Sequence, residues 1–83
     1  MKAVYFAWVR ERIGKTEEQL EPPRTIATVA DLIAWLAARG DGYGYAFQQP
    51  STIRVAIDRI HVSHEAAIAA ANEVAFFPPM TGG

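Results

Sequence analysis

The residues best placed to do chemistry stand at the end of the chain, where Met80-Thr81-Gly82-Gly83 follows Pro78-Pro79. The two prolines restrict the backbone and are expected to project the following residues away from the folded body. Gly82 and Gly83 carry no side chains, so this segment can thread a narrow channel and adopt conformations closed to other residues. We therefore expect the Gly83 carboxylate to be presented to other proteins as a reacting group.

The composition argues against several other kinds of chemistry. With 83 residues the chain forms one domain, which is too small to build a deep catalytic cleft by itself. It contains no cysteine, which excludes disulfides, thiolate catalysis and cysteine metal sites. If this protein handles sulfur, the sulfur must be carried on another group.

Charge and hydropathy narrow the choice of partners and location. The net charge is −1 and no basic stripe is present, so we expect no nucleic acid partner. No apolar run approaches the roughly 20 residues that a membrane helix needs. The apolar residues 1–9 are too few for a secretory signal and lack a cleavage site. We expect a cytoplasmic protein.

Two further groups of residues have types that occur in metal or phosphate sites. His61 and His64 are three positions apart, but no third ligand is evident, so we expect surface histidines and no metal site. The glycine-rich stretch 41–45 lacks the Lys-Ser/Thr of a phosphate loop. We interpret it as part of a loop.

Patterns along the chain predict the elements that must position the C-terminal segment. Residues 29–39 carry an apolar stripe at helical spacing, and Thr28 with Asp31 is typical of a capping box at the helix start. Alternation and β-rich composition predict strands elsewhere. The expected order is a strand 2–9, a helical turn 10–14 stopped by Gly14, an edge strand 16–21, the helix 29–39, a loop 41–49, strands 53–58 and 59–62, a helical turn or short helix 64–71, and a strand 73–77.

This order of elements predicts an α+β fold. A hairpin, a crossover helix and a return strand favour a mixed sheet of four to five strands wrapped around one main helix, which is the β-grasp or ubiquitin-like architecture. We expect the β-grasp domain to span residues 1–77 and an extended tail to span residues 78–83.

The first and last predicted strands are apolar on both faces, although one helix can cover only one face of a sheet. Lys2 should not be buried, so its face is assigned as outward. We predict a partner-binding patch of Val4, Phe6, Trp8 and Phe77, with His61 at its rim. The alternative is that loops cover this face more fully than the pattern indicates.

The segment Glu73-Val74-Ala75-Phe76-Phe77-Pro78-Pro79-Met80-Thr81-Gly82-Gly83 resembles the end of molybdopterin synthase small subunits, the MoaD family. The segments 4–14 and 27–32 are also similar to this family. Three positions depart from its usual pattern: Met80 replaces a common Val, Asp58 a common Asn, and Ala71-Asn72 a common Gly-Asp turn. None of them changes the Gly-Gly end.

This resemblance implies a sulfur carrier that is itself non-catalytic. An ATP-dependent partner would adenylate Gly83, and a sulfur donor would convert the acyl-adenylate to a thiocarboxylate. Pro78, Pro79, Met80, Thr81, Gly82 and Gly83 would form the tail that enters the large subunit of the synthase, where the sulfur passes to cyclic pyranopterin monophosphate. The resemblance implies no permanently bound cofactor, and it places the catalytic side chains on the large subunit in a heterotetramer.

Three alternatives remain open at the level of sequence. The chain could carry sulfur for another pathway, such as thiamine synthesis or tRNA thiolation. It could be a protein modifier that links Gly83 to lysines of its targets. It could also be a ubiquitin-like binding module with an inert tail.

Overall fold

The computed structural model describes residues 1–79, which form one five-stranded mixed sheet packed against three helices. The strands are β1 (Lys2–Tyr5), β2 (Glu17–Gln19), β3 (Arg54–Ile57), β4 (Ile60–Val62) and β5 (Glu73–Phe77). The helices are α1 (Ala7–Ile13), α2 (Val29–Ala37) and α3 (Asp41–Ala46), and a 3-10 helix spans Pro50–Thr52. The predicted α+β, β-grasp fold is confirmed.

The sheet order is β2-β1-β5-β3-β4, so the first and last strands of the chain lie side by side in its centre. β1 and β5 are parallel, and Tyr5 is opposite Phe76. The other neighbouring strands are antiparallel. Because β1 and β5 run in the same direction, β5 delivers residues 78 and 79 to the end of the sheet at which β1 ends.

One face of this sheet packs into the core with α2. The helix contributes the predicted apolar stripe, and Tyr5 and Phe76 stack with ring centroids 5.8 Å apart. Phe47 adds an edge-on contact to Phe76 at 5.4 Å. Core residues of the sheet are fully or almost fully buried, namely Ala3, Tyr5, Val55, Val74 and Phe76.

The start of α2 is capped as the sequence predicts. Thr28 Oγ1 accepts a hydrogen bond from the Asp31 backbone N–H at 3.2 Å, and the Asp31 carboxylate accepts from the Thr28 backbone N–H at 3.1 Å. Hydrogen bonds from the Ala27 and Thr28 backbone hold the pKa of Asp31 below its usual value. Reciprocal capping of this kind satisfies N–H groups that the first helical turn leaves without partners.

The predicted first strand, 2–9, is wrong beyond Tyr5. Ala7 adopts a positive φ of 52°, which turns the chain out of the sheet and into α1. Val9 is buried as a helical residue, and Gly14 ends the helix in the left-handed region at φ 86°. The predicted stop at Gly14 is therefore confirmed, but the helix before it begins earlier than expected.

Two further segments differ from the sequence prediction. Residues 41–46 form α3 instead of a loop, because contacts with α1 and α2 offset the low helix propensity of its glycines. Residues 64–71 form turns and one bridge to Thr28 instead of a helix. Their carbonyl groups are used elsewhere, since His64 O and Ala66 O accept hydrogen bonds from Ala30 and Val29 at the start of α2.

Candidate docking face and tail root

The sheet face opposite α2 carries an apolar row that crosses four strands. Val4 on β1 is opposite Ala75 on β5, which is opposite Ala56 on β3, which is opposite His61 on β4. Ala75 and Ala56 are only 9% and 7% exposed, whereas His61 is exposed at the edge. The alanines therefore form a flat, close-packed floor between larger neighbours.

A second row lies nearer the C-terminal end of β5 and is mainly aromatic. Phe77 is opposite Arg54, and the His61 ring meets the Phe77 ring edge-on at 5.2 Å. Phe6 continues the extended backbone of β1 and donates its backbone N–H to Phe76 O at 3.1 Å. Phe6 is 47% exposed, which makes it one of the most exposed large apolar residues in the described chain.

The opposite end of the same face is charged. Lys2 Nζ lies 3.5 Å from the Glu73 carboxylate and 4.0 Å from the Glu17 carboxylate. These half-exposed pairs contribute little to stability, because solvent screens them. They nevertheless limit the apolar area to the half of the face that adjoins the end of β5.

The tail begins in an apolar depression of about 350 Å³ formed by Phe6, Ala7, Phe77, Pro78 and Pro79. Ala7, whose backbone is in the left-handed region, belongs to this depression. The backbone strain of the β1–α1 turn therefore lies directly beside Pro78 and Pro79, which form the root of the tail. The predicted tail residues Pro78 and Pro79 are thus joined to the predicted patch. Met80, Thr81, Gly82 and Gly83, the residues with the predicted chemistry, lie outside the described residues.

Four of the five predicted patch residues lie on this face: Val4, Phe6, His61 and Phe77. Trp8 does not, because the chain enters α1 at Ala7 and the alternation that placed Trp8 beside Phe6 no longer applies. Its half-buried side chain packs against the core and lies against the Arg12 guanidinium. The sequence prediction missed the contribution of Ala56 and Ala75 to the floor. The signal for Ala56 is the alternation of residues 53–58, which sets it on the same side of the strand as Arg54.

The two histidines make different contacts. His64 Nε2 is hydrogen-bonded to Ile53 O at 2.8 Å and ties residues 63–65 to the start of β3. Within residues 1–79, no group of three or more His, Asp or Glu side chains is placed to hold a metal ion. None of the helices in that range is long and apolar enough to cross a bilayer.

Known proteins are similar to this chain over nearly its whole length. A model of the ThiS family matches residues 3–83. The molybdopterin synthase sulfur carrier subunit of Haemophilus influenzae is 36% identical over 83 residues, covering 100% of this chain and 99% of the relative. The subunit of the same name from Escherichia coli is 34% identical with the same coverage.

Solved structures support the fold. SAMP1 from Haloferax volcanii superposes with a TM-score of 0.71 at 26% identity, covering 100% of this chain and 98% of that one. A Pyrococcus furiosus protein proposed to be molybdopterin converting factor subunit 1 superposes with a TM-score of 0.67 at 24% identity, covering 94% of each chain. On the family match and the two full-length relatives, the chain belongs to the ThiS/MoaD family.

Proposed function

We propose that this chain is the sulfur carrier subunit of a molybdopterin synthase and that Gly83 carries the sulfur. The observation that carries the proposal is the full-length match to two molybdopterin synthase sulfur carrier subunits. The apolar depression at the tail root supports this proposal, because a partner that receives the tail needs an apolar contact surface beside the tail.

The proposed chemistry uses the Gly83 carboxylate as a reagent. A carboxylate oxygen attacks the α-phosphate of ATP on a separate activating enzyme, which forms an acyl-adenylate and releases pyrophosphate. A hydrosulfide equivalent from a sulfur donor then attacks the acyl carbon and displaces AMP, leaving a thiocarboxylate. In the synthase, the thiocarboxylate sulfur attacks a side-chain carbon of cyclic pyranopterin monophosphate and displaces the oxygen substituent of that carbon, which gives a thioester between the substrate and Gly83. Water then cleaves the acyl–sulfur bond, so the sulfur stays on the substrate and Gly83 is returned as a carboxylate.

The residues of this chain determine which groups its partners must supply. It has no cysteine to hold sulfur, and the large subunit is proposed to supply the catalytic side chains. Gly82 and Gly83 let the tail pass through narrow openings in two different enzymes. ATP belongs to the activating partner, and no cofactor is proposed to reside on this chain.

Mass spectrometry tests the proposal. After incubation with ATP, the activating enzyme and a sulfur donor, the peptide that ends in Gly83 should gain the mass difference between sulfur and oxygen. Oxidation of Met80 adds nearly the same mass, so the test uses Met80→Val, and a chain lacking Gly83 serves as the control. Absence of the product in the variant and in the parent chain overturns the carrier proposal, and Gly83 linked to target lysines would favour a protein modifier.

The docking face, defined as Val4, Phe6, His61 and Phe77, is proposed to bind the large subunit. Phe6→Asp should weaken that binding about ten-fold or more, because a charge replaces an apolar anchor. Ile60→Asp is the matched control, since Ile60 is also apolar and 68% exposed but is adjacent to His61 on β4 and therefore lies on the opposite face of the sheet. Equal affinities of the two variants, measured by calorimetry, would place the interface elsewhere.

A further inference from the structure

Arg12 is held by two aromatic rings from different helices. Its Cζ atom lies 4.3 Å from the centre of the Trp8 ring on α1 and 4.0 Å from the centre of the Tyr45 ring on α3. Its Nη1 atom also donates a hydrogen bond to Tyr45 O at 3.3 Å. Cation–π contacts of this kind restrict the guanidinium while leaving the N–H groups at its edge available.

Arg39 provides an internal comparison for this arrangement. Its Cζ atom lies 5.3 Å from the Trp35 ring centre and 5.0 Å from the Tyr43 ring centre, and its Nη1 atom is 3.5 Å from Glu18 Oε1. Arg39 therefore has both its aromatic neighbours and an anion from within the chain. Arg12 has the aromatic neighbours, but among residues 1–79 no carboxylate oxygen comes within 4.0 Å of its guanidinium nitrogens.

The surroundings of Arg12 are suited to a small anionic group. A recess of about 250 Å³ is lined by Trp8, Arg12, Ala46, Gln48, Gln49 and Thr52. The side-chain amides of Gln48 and Gln49 can donate a hydrogen bond to an oxygen that the guanidinium does not reach, whereas the Thr52 hydroxyl already donates to Gln49 O at 2.8 Å. A single cation in the recess balances one carboxylate, whereas a phosphate dianion would leave excess negative charge.

This recess lies at the end of the molecule that bears the tail. α1 begins where β1 ends, and β1 ends beside the end of β5 because the two strands are parallel. Gln48, Gln49 and Thr52 precede β3, whose first residue, Arg54, is opposite Phe77. A protein that receives the tail is therefore positioned to reach Arg12.

We propose that Arg12 recognises the Asp or Glu side chain of a protein that binds the C-terminal tail. The carboxylate accepts paired hydrogen bonds from the edge of the guanidinium, and Trp8 and Tyr45 hold the guanidinium in place before binding. This inference rests on the proposed function for the identity of its partners, the large subunit and the activating enzyme. It assigns Arg12 and Trp8 to a contact separate from the docking face.

The first test compares Arg12→Gln with Arg24→Gln, which removes the same charge from a loop at the opposite end of the sheet. Arg12→Gln should weaken binding to at least one of the two partners about ten-fold and reduce the salt dependence of its Kd. Arg12→Lys keeps the charge but not the planar fork, so it should fall between the parent and Arg12→Gln. Equal Kd values for Arg12→Gln and Arg24→Gln with both partners, at low salt, would overturn the inference.

The second test needs no partner. The Arg12 Nε–H signal in NMR spectra of the full chain should shift saturably with acetate, and the Arg24 signal should not, at an ionic strength matched with sodium chloride. A response to inorganic phosphate but not to acetate would overturn the assignment of a carboxylate. If acetate shifts Arg12 while no thiocarboxylate forms on the parent chain, the proposed function fails and the anion contact stands; if thiocarboxylate forms but Arg12 does not respond, this inference alone fails.

Discussion

Among residues 1–79, three residues other than glycine adopt positive φ angles, and two of them form the turn between β3 and β4. Asp58 has φ 48° and Arg59 has φ 71°, as a two-residue type I′ hairpin turn requires. The Asp58 carboxylate accepts hydrogen bonds from the backbone N–H groups of Asn72 at 3.1 Å and Glu73 at 2.9 Å. Asp58 thus connects the hairpin to the start of β5, while Arg59 bears conformational strain without a comparable contact.

Arg59→Gly should therefore stabilise the protein. Glycine removes the cost of the left-handed conformation, about 1–2 kcal/mol. It also gives the unfolded chain more conformational freedom, which offsets part of this gain. We expect the free energy of unfolding to rise by about 0.5–1 kcal/mol in urea titrations. The control is Gly14→Ala, at φ 86° with open space around it, which should lower the free energy instead. A lower free energy of unfolding for Arg59→Gly than for the parent would contradict this account of the turn.

At the scale of elements, α3 depends on close approach to its neighbours. A Cβ atom at Gly42 would lie 2.7 Å from the Arg12 backbone oxygen on α1, and one at Gly44 would lie 3.4 Å from Ala37 O on α2. Glycine is unfavourable inside a helix in isolation. Here its missing side chain lets α3 pack against two helices, which explains why a glycine-rich segment is helical.

Gly42→Ala should separate α1 from α3, because the added methyl group meets backbone that cannot rotate away. We expect a loss of about 1–3 kcal/mol in the free energy of unfolding, measured by chemical denaturation. Gly40→Ala is the matched control, since its Cβ would meet only a Tyr43 ring atom at 4.0 Å. Similar stability of the two variants would mean that the helices adjust without cost.

At the scale of the whole molecule, Glu18 joins four parts of the chain. Its Oε2 atom accepts hydrogen bonds from Tyr5 on β1 at 2.8 Å and Tyr43 on α3 at 2.7 Å. Its Oε1 atom lies 3.4 Å from Lys15 Nζ and 3.5 Å from Arg39 Nη1. Burial alone would raise the pKa of Glu18, but the hydrogen bonds from Tyr43 and Tyr5 and the nearby cations outweigh it and lower the pKa.

This lowered pKa predicts a dependence of stability on acid. A carboxyl group whose folded pKa lies below its unfolded value stabilises the protein above that unfolded value, about 4.3, and the contribution is lost as the pH falls through the folded pKa. Glu18→Gln should therefore be less stable than the parent at neutral pH by about 1–2 kcal/mol, and the difference should shrink below about pH 4. Thermal unfolding between pH 3 and pH 7 measures it.

Glu17→Gln removes the same charge from the adjacent, exposed position and is the matched control. Its difference from the parent should be small, because Glu17 makes only a 4.0 Å surface contact with Lys2. A difference between parent and Glu18→Gln that stays constant from pH 3 to pH 7 would show that the Glu18 charge is not what stabilises the fold.

At alkaline pH the free energy of unfolding should change in the opposite direction and fall as the pH rises. Burial and the hydrogen bond to Glu18 raise the pKa of Tyr5, so the stability that its neutral form contributes should be lost above about pH 10.

The local patterns of the sequence determined the elements that need no distant partner. Alternation placed β3 and β5, helical spacing placed α2, and Thr28 with Asp31 marked its start, because each pattern acts over a few neighbouring residues. Alternation also predicted one shared face for Val4, Phe6 and Phe77, and His61 was expected at the rim of that face. The proposed chemistry of Gly83 also comes from the sequence and its relatives, since Met80–Gly83 lie outside the described residues.

Where the local patterns conflict with packing, only the tertiary structure decided which conformation the chain adopts. The chain leaves β1 at Ala7 because α1 must pack against α3, and this moves Trp8 from the docking face to Arg12. Residues 41–46 become helical through contacts of their glycines, and residues 64–71 give up a helix because their carbonyl groups bind the start of α2. In each case contacts between residues far apart in sequence outweigh propensities of a few tenths of a kcal/mol per residue, up to about 1 kcal/mol for glycine.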